Sequence, residues 1–417
     1  MKTWLLAVLF SFPLAFNSCD KQIYRSEGLS VYLHPDLQQY APFSHACKMS
    51  DGKRYLAVLG TFQGTVFVDY TDNKLEDGDI KFFPGAPSHW RECRSYRHPV
   101  SGNVYAYVVT EGDSWKIIGG KPDFSGYPGG VQIFKLTDSS VELVSTHIGN
   151  FHTAHTIFID TERGLAFVNG SRWRVDLPEE DKSHMSHLGG LRILDIATDP
   201  EHPIDISSYN NSYTHDSYAL GEVDFPLRLE FNPTMGKYVE VKGKRGYIVY
   251  LADIFEGYIR VLDVSDPVNP VLLDSVHTPL YNQGISVHNL WASEDKKWLF
   301  ATEETDGSSL LVYDISFPDR PRFVTVYRSE KVADKSLVHN VVIRGNIAYC
   351  SWYQEGLRLI DISNPVHPKE FAFFDSSTKS FTDTSPFHGN WSVDVDDRGL
   401  IMISDIEEGL FILRRTE

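Results

Sequence analysis

Cysteine is scarce in this chain, which has four cysteines among its 417 residues. Cys19 follows an N-terminal apolar segment, so Cys47, Cys93 and Cys350 remain for the folded part. Three cysteines allow one disulfide bond at most. Cys47 and Cys93 each lie shortly after a histidine, at corresponding places in a repeat. A disulfide bond between them is therefore one hypothesis, and buried free thiols, which we expect, are the other.

Positive charge is also in deficit. The chain has 39 lysines and arginines against 56 aspartates and glutamates, which gives a net charge of −17. Binding to nucleic acid requires a basic face that neutralises phosphates, so this balance argues against a nucleic-acid partner. The negative charge identifies no partner by itself, because a soluble acidic surface is enough to explain it.

The apolar run Trp4–Phe16 is too short to span a bilayer comfortably. Lys2 precedes it and Asn17-Ser18-Cys19 follows it, which is the arrangement of a secretory signal. The position of Cys19 resembles a bacterial lipoprotein lipobox, which implies cleavage of residues 1–18 and lipid on the Cys19 sulfur. We therefore expect an exported protein, periplasmic or on the cell surface, attached to the membrane through lipid alone. A plain signal peptide and a buried apolar segment are the alternatives.

The familiar catalytic motifs are absent. The sequence has no Gly-x-Ser-x-Gly, no Walker A and no Gly-x-Gly-x-x-Gly motif, so the usual hydrolase, nucleotide and dinucleotide signatures are lacking. It also has no His-Glu-x-x-His and no paired Cys-x-x-Cys. These absences leave the question of an enzyme open and favour a protein that is not one.

A short β-strand motif recurs through the chain. Its clearest copy lies within 339–375, which reads as four short strands separated by turns at Arg344-Gly345-Asn346, at Gln354-Glu355-Gly356 and at the proline-bearing segment 363–368. Seven copies at a nearly regular period predict a seven-bladed β-propeller. The copies are Gly64–Asp72, Gly130–Asp138, Gly190–Pro203, Gly257–Pro270, Ser308–Pro321, Gly356–Pro368 and Gly409–Arg415.

The two ends of the chain should meet in this propeller. The last copy stops after its third strand, while Leu29–Leu33 is a strand without a unit of its own. We predict that Leu29–Leu33 supplies the fourth strand of the last blade, because such closure removes exposed sheet edges. Residues 1–18 are then a signal peptide, residues 19–28 a linker, and residues 29–417 a single all-β propeller domain.

The repeats resemble those of LVIVD-repeat propellers, as in Gly345–Pro365 and Glu256–Pro270. The chain more specifically resembles the choice-of-anchor B family, on the residues of Tyr213–Asp216, Val338–Asn340 and Ser404–Leu410. The resemblance implies an exported, cell-attached protein, for which Cys19 would be the anchor. It implies no settled biochemical activity.

Each repeat also has a histidine at the head of its first strand. The first strand of a blade lines the central channel, and its start lies on the same face as the end of the second strand. Several second strands end on acidic residues, and long segments of blades 2 and 3 emerge there with aromatic residues. We predict that one mouth of the channel gathers these groups. They are His45, His89, His155, His215, His288, His339 and His388, with Glu111, Asp253, Glu303, Glu304, Asp405, Trp115 and Trp173.

Three interpretations of the histidines stay open. In the first, each histidine is a structural joint that hydrogen bonds to a neighbouring blade. In the second, a subset holds a transition metal (Zn, Cu, Fe or Ni), with Asp or Glu as further ligands. In the third, the histidines line a binding mouth for a peptide, a glycan or a protein. We expect an exported binding scaffold that acts through this mouth, and the alternative is a metal-binding protein or metalloenzyme.

Overall fold

The computed structural model describes residues 24–111, 129–173, 189–226, 228–241, 243, 245–279, 286–305, 307, 309–330, 336–377 and 387–416. Within these ranges the regular structure is almost entirely β-strand, with a single short 3-10 helix at Gln38–Tyr40. Seven antiparallel sheets and one two-stranded hairpin account for the strands. The predicted seven-bladed β-propeller is therefore confirmed.

Blades 1 to 3 contain the first half of the propeller. In blades 1 and 2 the chain runs outward strand by strand, and in blade 3 one long strand pairs with two short inner strands. The strands are Phe43–Ser50, Tyr55–Thr61, Gly64–Asp69 and Ile80–Pro84 in blade 1; Cys93–Arg97, Val104–Thr110, Gly130–Leu136 and Val141–His147 in blade 2; Phe151–Thr153, Thr156–Asp160, Leu165–Trp173, Gly190–Asp195 and Ile204–Tyr209 in blade 3.

Blades 4 to 6 repeat the same outward path. The clearest sequence repeat, 339–375, forms blade 6 with strand bounds within two residues of those that the turns predict. The strands are Asp216–Asp224, Arg245–Asp253, Tyr258–Asp263 and Val271–His277 in blade 4; Val287–Ala292, Trp298–Glu303, Leu310–Asp314 and Arg322–Tyr327 in blade 5; Val341–Arg344, Ile347–Ser351, Leu357–Asp361 and Lys369–Phe374 in blade 6.

Blade 7 closes the ring with both ends of the chain. Its inner strands are Asn390–Val395, Ile401–Asp405 and Gly409–Arg415, and Leu29–Leu33 pairs antiparallel with the last of these. The predicted closure is confirmed. The sequence analysis missed a further strand, Ser26–Glu27, which adds to the outer edge of blade 6.

The core lies between neighbouring blades. The second strand of blade 1, Tyr55–Thr61, is buried along its whole length, whereas the outer strand of blade 4, Val271–His277, is exposed or half-buried. A blade is covered on both faces by its neighbours, so its inner strands are apolar on both faces. Tyr107 of blade 2 and Ile157 of blade 3, for example, belong to one buried cluster. This packing fixes the innermost strands around the channel.

An insertion between the first two strands of blade 4 lengthens both strands and adds the hairpin Arg228–Asn232 with Lys237–Val241. Most of the long segments of blades 2 and 3 lie outside the described residues, as do Trp115 and Cys19. In the part of the chain that the structure describes, no helix is both long and apolar enough to cross a membrane.

The three cysteines of the propeller are buried free thiols, as we expected. Cys47 and Cys93 belong to one apolar cluster between blades 1 and 2. The Cys93 thiol donates to the carbonyl oxygen of Val58 at 3.3 Å.

The ring closure predicts a large effect of a short truncation. A chain that begins at residue 34 loses Leu29 and Leu33, which are 4% and 8% exposed. It also bares the edge of the strand Gly409–Arg415. We expect the free energy of unfolding to fall by at least about 3 kcal/mol, because each buried leucine contributes roughly 2–5 kcal/mol. Urea unfolding measures the change, and a chain that begins at residue 24 is the control. Equal stability of the two chains would contradict this account of the closure.

Candidate functional site

Four histidines from consecutive blades converge inside the channel. The ring centroids of His155 and His215 lie 4.3 Å apart, those of His215 and His288 lie 4.0 Å apart, and those of His288 and His339 lie 4.2 Å apart. They line a cavity of about 10 Å³ together with Trp90, Arg91, Glu92, Thr156, Asn340 and Trp391. A volume of this size holds about one water molecule. The site therefore accepts a single small species.

Backbone carbonyl groups of the next blade orient these imidazoles. The Nδ1 atom of His215 lies 3.1 Å from the carbonyl oxygen of His288, and Nδ1 of His339 lies 2.5 Å from that of Trp391. A carbonyl oxygen only accepts, so both Nδ1 atoms carry the proton. Nδ1 of His288 faces the His339 carbonyl in the same way, without reaching hydrogen-bond geometry. The inter-blade bond that the structural interpretation expects is thus present at two of the four histidines.

The same bonds leave the Nε2 atoms for the cavity. A neutral imidazole that is protonated at Nδ1 has its lone pair on Nε2. Nε2 of His155 lies 2.8 Å from Nε2 of His215, and Nδ1 of His155 lies 2.8 Å from a carboxylate oxygen of Glu111. Because Nε2 of His215 carries the lone pair, Nε2 of His155 donates to it. Nδ1 of His155 then shares a proton with the Glu111 carboxyl group.

Glu304 completes the cluster from the end of blade 5. Its carboxylate oxygens lie 3.8 Å from Nε2 of His288 and 4.0 Å from Nε2 of His339. The Tyr353 hydroxyl donates to Glu304 at 2.6 Å. The donor atoms of His288, Glu304 and His339 all lie within 4.8 Å of one another. Zinc binds nitrogen and oxygen at about 2.0–2.2 Å, so this triangle surrounds a metal-sized position after small side-chain movements.

Burial keeps three of the imidazoles neutral. It lowers the pKa of His215 and of His288 well below the ordinary value, and the neighbouring histidines lower both further. Burial also lowers the pKa of His339 to about 3. The pKa of His155 is raised instead, because burial is outweighed by the charges of Glu111, Glu92 and Glu304 and by the hydrogen bond between His155 and Glu111. Neutral imidazole is the form that binds metals.

Burial around the cavity disfavours the charged form of the carboxylates that line it. Burial raises the pKa of Glu304 to about 7, against the opposing effects of the Tyr353 hydrogen bond and of His155. Burial likewise raises the pKa of Glu92 to about 8, although Arg94 opposes this shift. Bringing a cation into the cavity would stabilise both carboxylates in their charged form.

The other three predicted histidines do not line this cavity. His45 is buried beside Arg94, whose guanidinium nitrogen lies 2.8 Å from His45 Nε2. His89 is exposed and packs on Phe62, and Nδ1 of His388 lies 2.5 Å from Glu407. The expectation that all seven blades present an equivalent histidine at one mouth is therefore corrected.

The inter-blade hydrogen bonds explain the correction. The carbonyl of Arg91 in blade 2 accepts a bond from Ser44 at 3.0 Å, and that of Trp391 in blade 7 accepts one from Ser351 at 3.2 Å. These positions correspond to the cavity histidines, whose carbonyls accept the same kind of bond. In blades 1, 2 and 7 the histidine lies one to three residues away from the corresponding position, because the connections between blades are irregular in length.

The predicted carboxylates also divide into two groups. Glu111 and Glu304 contact the cavity histidines. The rest are engaged elsewhere, and their partners are Arg260 at 2.7 Å for Asp253, Ser286 at 3.3 Å for Glu303 and Ser376 at 2.7 Å for Asp405. The backbone of Trp173 pairs with Phe151 at the end of its strand.

Sequence reasoning missed Trp90, Glu92, Tyr353 and Trp391. Tyr353 has a positive φ of 25°, an unusual backbone for a residue other than glycine, and its ring packs on His339 at 4.9 Å. No repeat marks these positions, because each residue occurs in one blade alone. An alignment that treats Trp391 as the counterpart of His339 would have found that residue.

Replacement of Glu304 by glutamine tests whether burial raises the pKa of this carboxyl group. Because the pKa of Glu304 is raised to about 7 in the folded protein, its protonated form stabilises the fold below its ordinary pKa. That contribution is lost as the pH rises through 7. Between pH 5 and pH 8 we expect metal-free wild type to lose up to about 3 kcal/mol more free energy of unfolding than Glu304→Gln.

Urea unfolding in the presence of a chelator measures this difference. Glu142→Gln, on the exposed outer strand of blade 2, is the matched control and should follow the wild type. An identical pH dependence of wild type and Glu304→Gln would show that Glu304 is already ionised in the folded, metal-free protein.

Comparison with known proteins agrees with this architecture. The LVIVD repeat family model matches residues 236–278 and 337–375, which lie in blades 4 and 6. A search of curated proteins finds no match. Among solved structures, the Pseudomonas aeruginosa periplasmic gluconolactonase PpgL is similar, with a TM-score of 0.51 and 12% sequence identity over 83% of this chain and 86% of that chain. At this identity the likeness shows the fold alone. The chain is a seven-bladed β-propeller that contains LVIVD repeats.

Proposed function

We propose that the protein binds one transition-metal ion inside its channel, through Nε2 of His155, His215, His288 and His339 and a carboxylate oxygen of Glu304. The observation that carries the proposal is the convergence of four imidazoles around a cavity of about 10 Å³. Imidazole with carboxylate suits Zn, Cu, Fe or Ni.

The tautomers support this proposal over a purely structural role. A joint between blades needs one hydrogen bond per histidine, and the Nδ1 atoms of His215 and His339 make it. It does not explain why four histidines line one small cavity, where Nε2 of His155 faces Nε2 of His215 and the Nε2 atoms of His288 and His339 face Glu304. A carbonyl group that fixes Nδ1 and thereby aims Nε2 is the usual outer partner of a metal-binding histidine.

Protons must leave when the ion binds. In the metal-free site, Nε2 of His155 donates a proton to Nε2 of His215, and the pKa of Glu304 is raised to about 7, so that its carboxyl group is partly protonated near neutral pH. Metal ligands bind in their deprotonated forms, so affinity should rise with pH. The Nε2 atoms of His155 and His215 are 2.8 Å apart in a hydrogen bond, and they would separate by a few tenths of an ångström to bind one ion.

The size of the cavity argues against a large ligand at the same place. Pockets for drug-sized molecules measure about 300–1,000 Å³, far more than this site offers. The expected scaffold for a peptide, glycan or protein depends on segments 112–128 and 174–188, which lie outside the described residues. That function stays a prediction.

Metal analysis of the purified protein tests the proposal. We expect about one Zn, Cu, Fe or Ni per chain in wild type. His288→Ala and His339→Ala should each weaken binding by more than about 100-fold, because even partners outside the ligand set cost 10–100-fold. His388→Ala is the matched control, since His388 lies outside the cavity and pairs with Glu407.

The variant Thr302→Val distinguishes metal binding from the hydrogen bonding between blades. The Thr302 hydroxyl donates to the carbonyl of His339 at 2.6 Å and supplies no ligand atom. Its loss should destabilise the fold by about 1–3 kcal/mol and leave the metal content unchanged. Wild type that contains no metal and binds neither added Zn²⁺ nor Cu²⁺ would refute the proposal, as would equal metal content in His339→Ala and His388→Ala.

We also propose that the protein is exported and attached to the membrane through lipid on Cys19. The apolar run Trp4–Phe16 before Asn17-Ser18-Cys19 supports this proposal. In a bacterial host, wild type should fractionate with membranes, and its mature N-terminus should carry lipid in mass spectra. Cys19→Ser should release the protein in soluble form. Recovery of wild type in the soluble fraction with an unmodified Cys19 would refute lipid attachment.

A further inference from the structure

A second, larger cavity lies at the opposite end of the innermost strands. Its lining includes Ile159, Ala292 and Arg344, which stand at or next to the last residue of the first strands of blades 3, 5 and 6. The cavity histidines lie at the other ends of these strands, four or five residues away, on the order of 13–17 Å. The volume of this cavity is about 260 Å³. We call it the aromatic pocket.

Three aromatic side chains from consecutive blades form one wall of the pocket. The ring centroids of Phe158 and Tyr218 lie 5.1 Å apart, and those of Tyr218 and Trp291 lie 5.3 Å apart. All three side chains are half-buried and face the pocket. The ring planes are tilted by 52–74° to one another, and together they offer an apolar surface for the body of a small molecule.

Hydrogen-bond donors surround the same space. The Arg344 guanidinium lies 5.6 Å from the centre of the Trp291 ring, and its nearest recorded carboxylate is Asp394 at 4.0 Å, beyond a hydrogen bond. Nε of Arg94 is buried and has no hydrogen-bond partner among the described residues. The Tyr218 hydroxyl makes no hydrogen bond with the part of the chain that the structure describes. Burial raises its pKa to about 12, so it stays a donor.

The charge at the pocket limits the ligand to a single negative charge. The lining includes the guanidinium groups of Arg344 and Arg94, of which Arg94 is also paired with Glu92 at 2.7 Å. Its one carboxylate, Glu294, already accepts a hydrogen bond from the backbone N–H of Gly345 at 2.9 Å. Asp394 lies just behind Arg344. A carboxylate suits this balance, because two guanidinium groups and a phenol offer it charge-assisted hydrogen bonds. A phosphate dianion would be repelled by Glu294 and Asp394.

We propose that the aromatic pocket binds a small organic carboxylate with an aromatic or aliphatic body. The body lies on Phe158, Tyr218 and Trp291, and the carboxylate accepts hydrogen bonds from Arg344, Tyr218 and Arg94. The cluster of His45, Glu92 and Arg94 separates this pocket from the histidine cavity. The proposal therefore does not depend on the metal.

Calorimetric titration of the full folded protein with phenylacetate and indole-3-acetate tests the proposal. Both should bind with dissociation constants in the millimolar range or below. Phenylacetamide lacks the charge and acetate lacks the ring, so each should bind at least about tenfold more weakly, which corresponds to about 1.4 kcal/mol.

Variants identify the residues. Arg344→Gln and Trp291→Ala should each weaken phenylacetate binding at least about tenfold, a loss of about 1.4 kcal/mol. Arg320→Gln is the matched control, because Arg320 is a similarly exposed arginine in an ion pair with Glu230. His288→Ala should retain the affinity for phenylacetate even if it loses a metal. If Trp291→Ala fails to fold, Arg344→Gln carries the test alone.

Three results would overturn the proposal. The first is the absence of binding by both carboxylates at 10 mM. The second is equal affinity for phenylacetate and phenylacetamide, which would show that the guanidinium groups do not recognise the charge. The third is unchanged phenylacetate binding by folded Arg344→Gln.

Discussion

The carbonyl group at the head of each innermost strand is the constraint on which this structure depends. Each such carbonyl is buried at a junction between two blades, and a buried carbonyl must be hydrogen bonded. Side chains of the preceding blade satisfy it in five of the seven junctions that the structure describes, with Ser44, Thr156, His215, Thr302 and His339 as donors. A histidine that donates through Nδ1 has a second nitrogen to spare, whereas a serine or threonine does not. At His215 and His339 this hydrogen bond between blades thereby leaves Nε2 for the cavity.

The cluster breaks the symmetry of the ring. Blades 3 to 6 bring four histidines together, and blades 2 and 7 place Arg91 and Trp391 at the corresponding positions, where they close the cavity. Seven equivalent imidazoles would surround a space too wide for one ion. Four imidazoles and one carboxylate match the coordination that transition metals adopt. The departure from the repeat is therefore the feature that indicates a function, whereas the repeat itself indicates the fold.

The sequence was sufficient for the fold because each blade repeats the same alternation of apolar strand and turn. The motif ending at Pro368 marks its strands within two residues, and the missing fourth strand of blade 7 pointed to Leu29–Leu33. The site was predictable only in part. His89 and His388 looked equivalent to His288 in sequence, but a shift of a few residues before the first strand moves a side chain out of the channel. Tyr353 and Glu92 have no counterpart in the other repeats, so only the three-dimensional structure brings them to the histidines.

The two ends of the channel differ in their side chains because the backbone of the innermost strands is hydrogen bonded differently at each end. At the start of the innermost strands, the chain has just crossed from another blade. Backbone groups there have no partner in the sheet, so side chains supply their hydrogen bonds. At the other end, Phe158 and Trp291 lie within regular antiparallel pairs, where the backbone is satisfied and the side chains are free to be apolar. Between the ends, Arg94 pairs with Glu92 at 2.7 Å and keeps the two spaces apart. Removing one partner of such a buried ion pair is costly, because the other charge is then buried and unpaired. The pair is the common boundary of the two cavities, because Glu92 lines the histidine cavity and Arg94 lines the aromatic pocket.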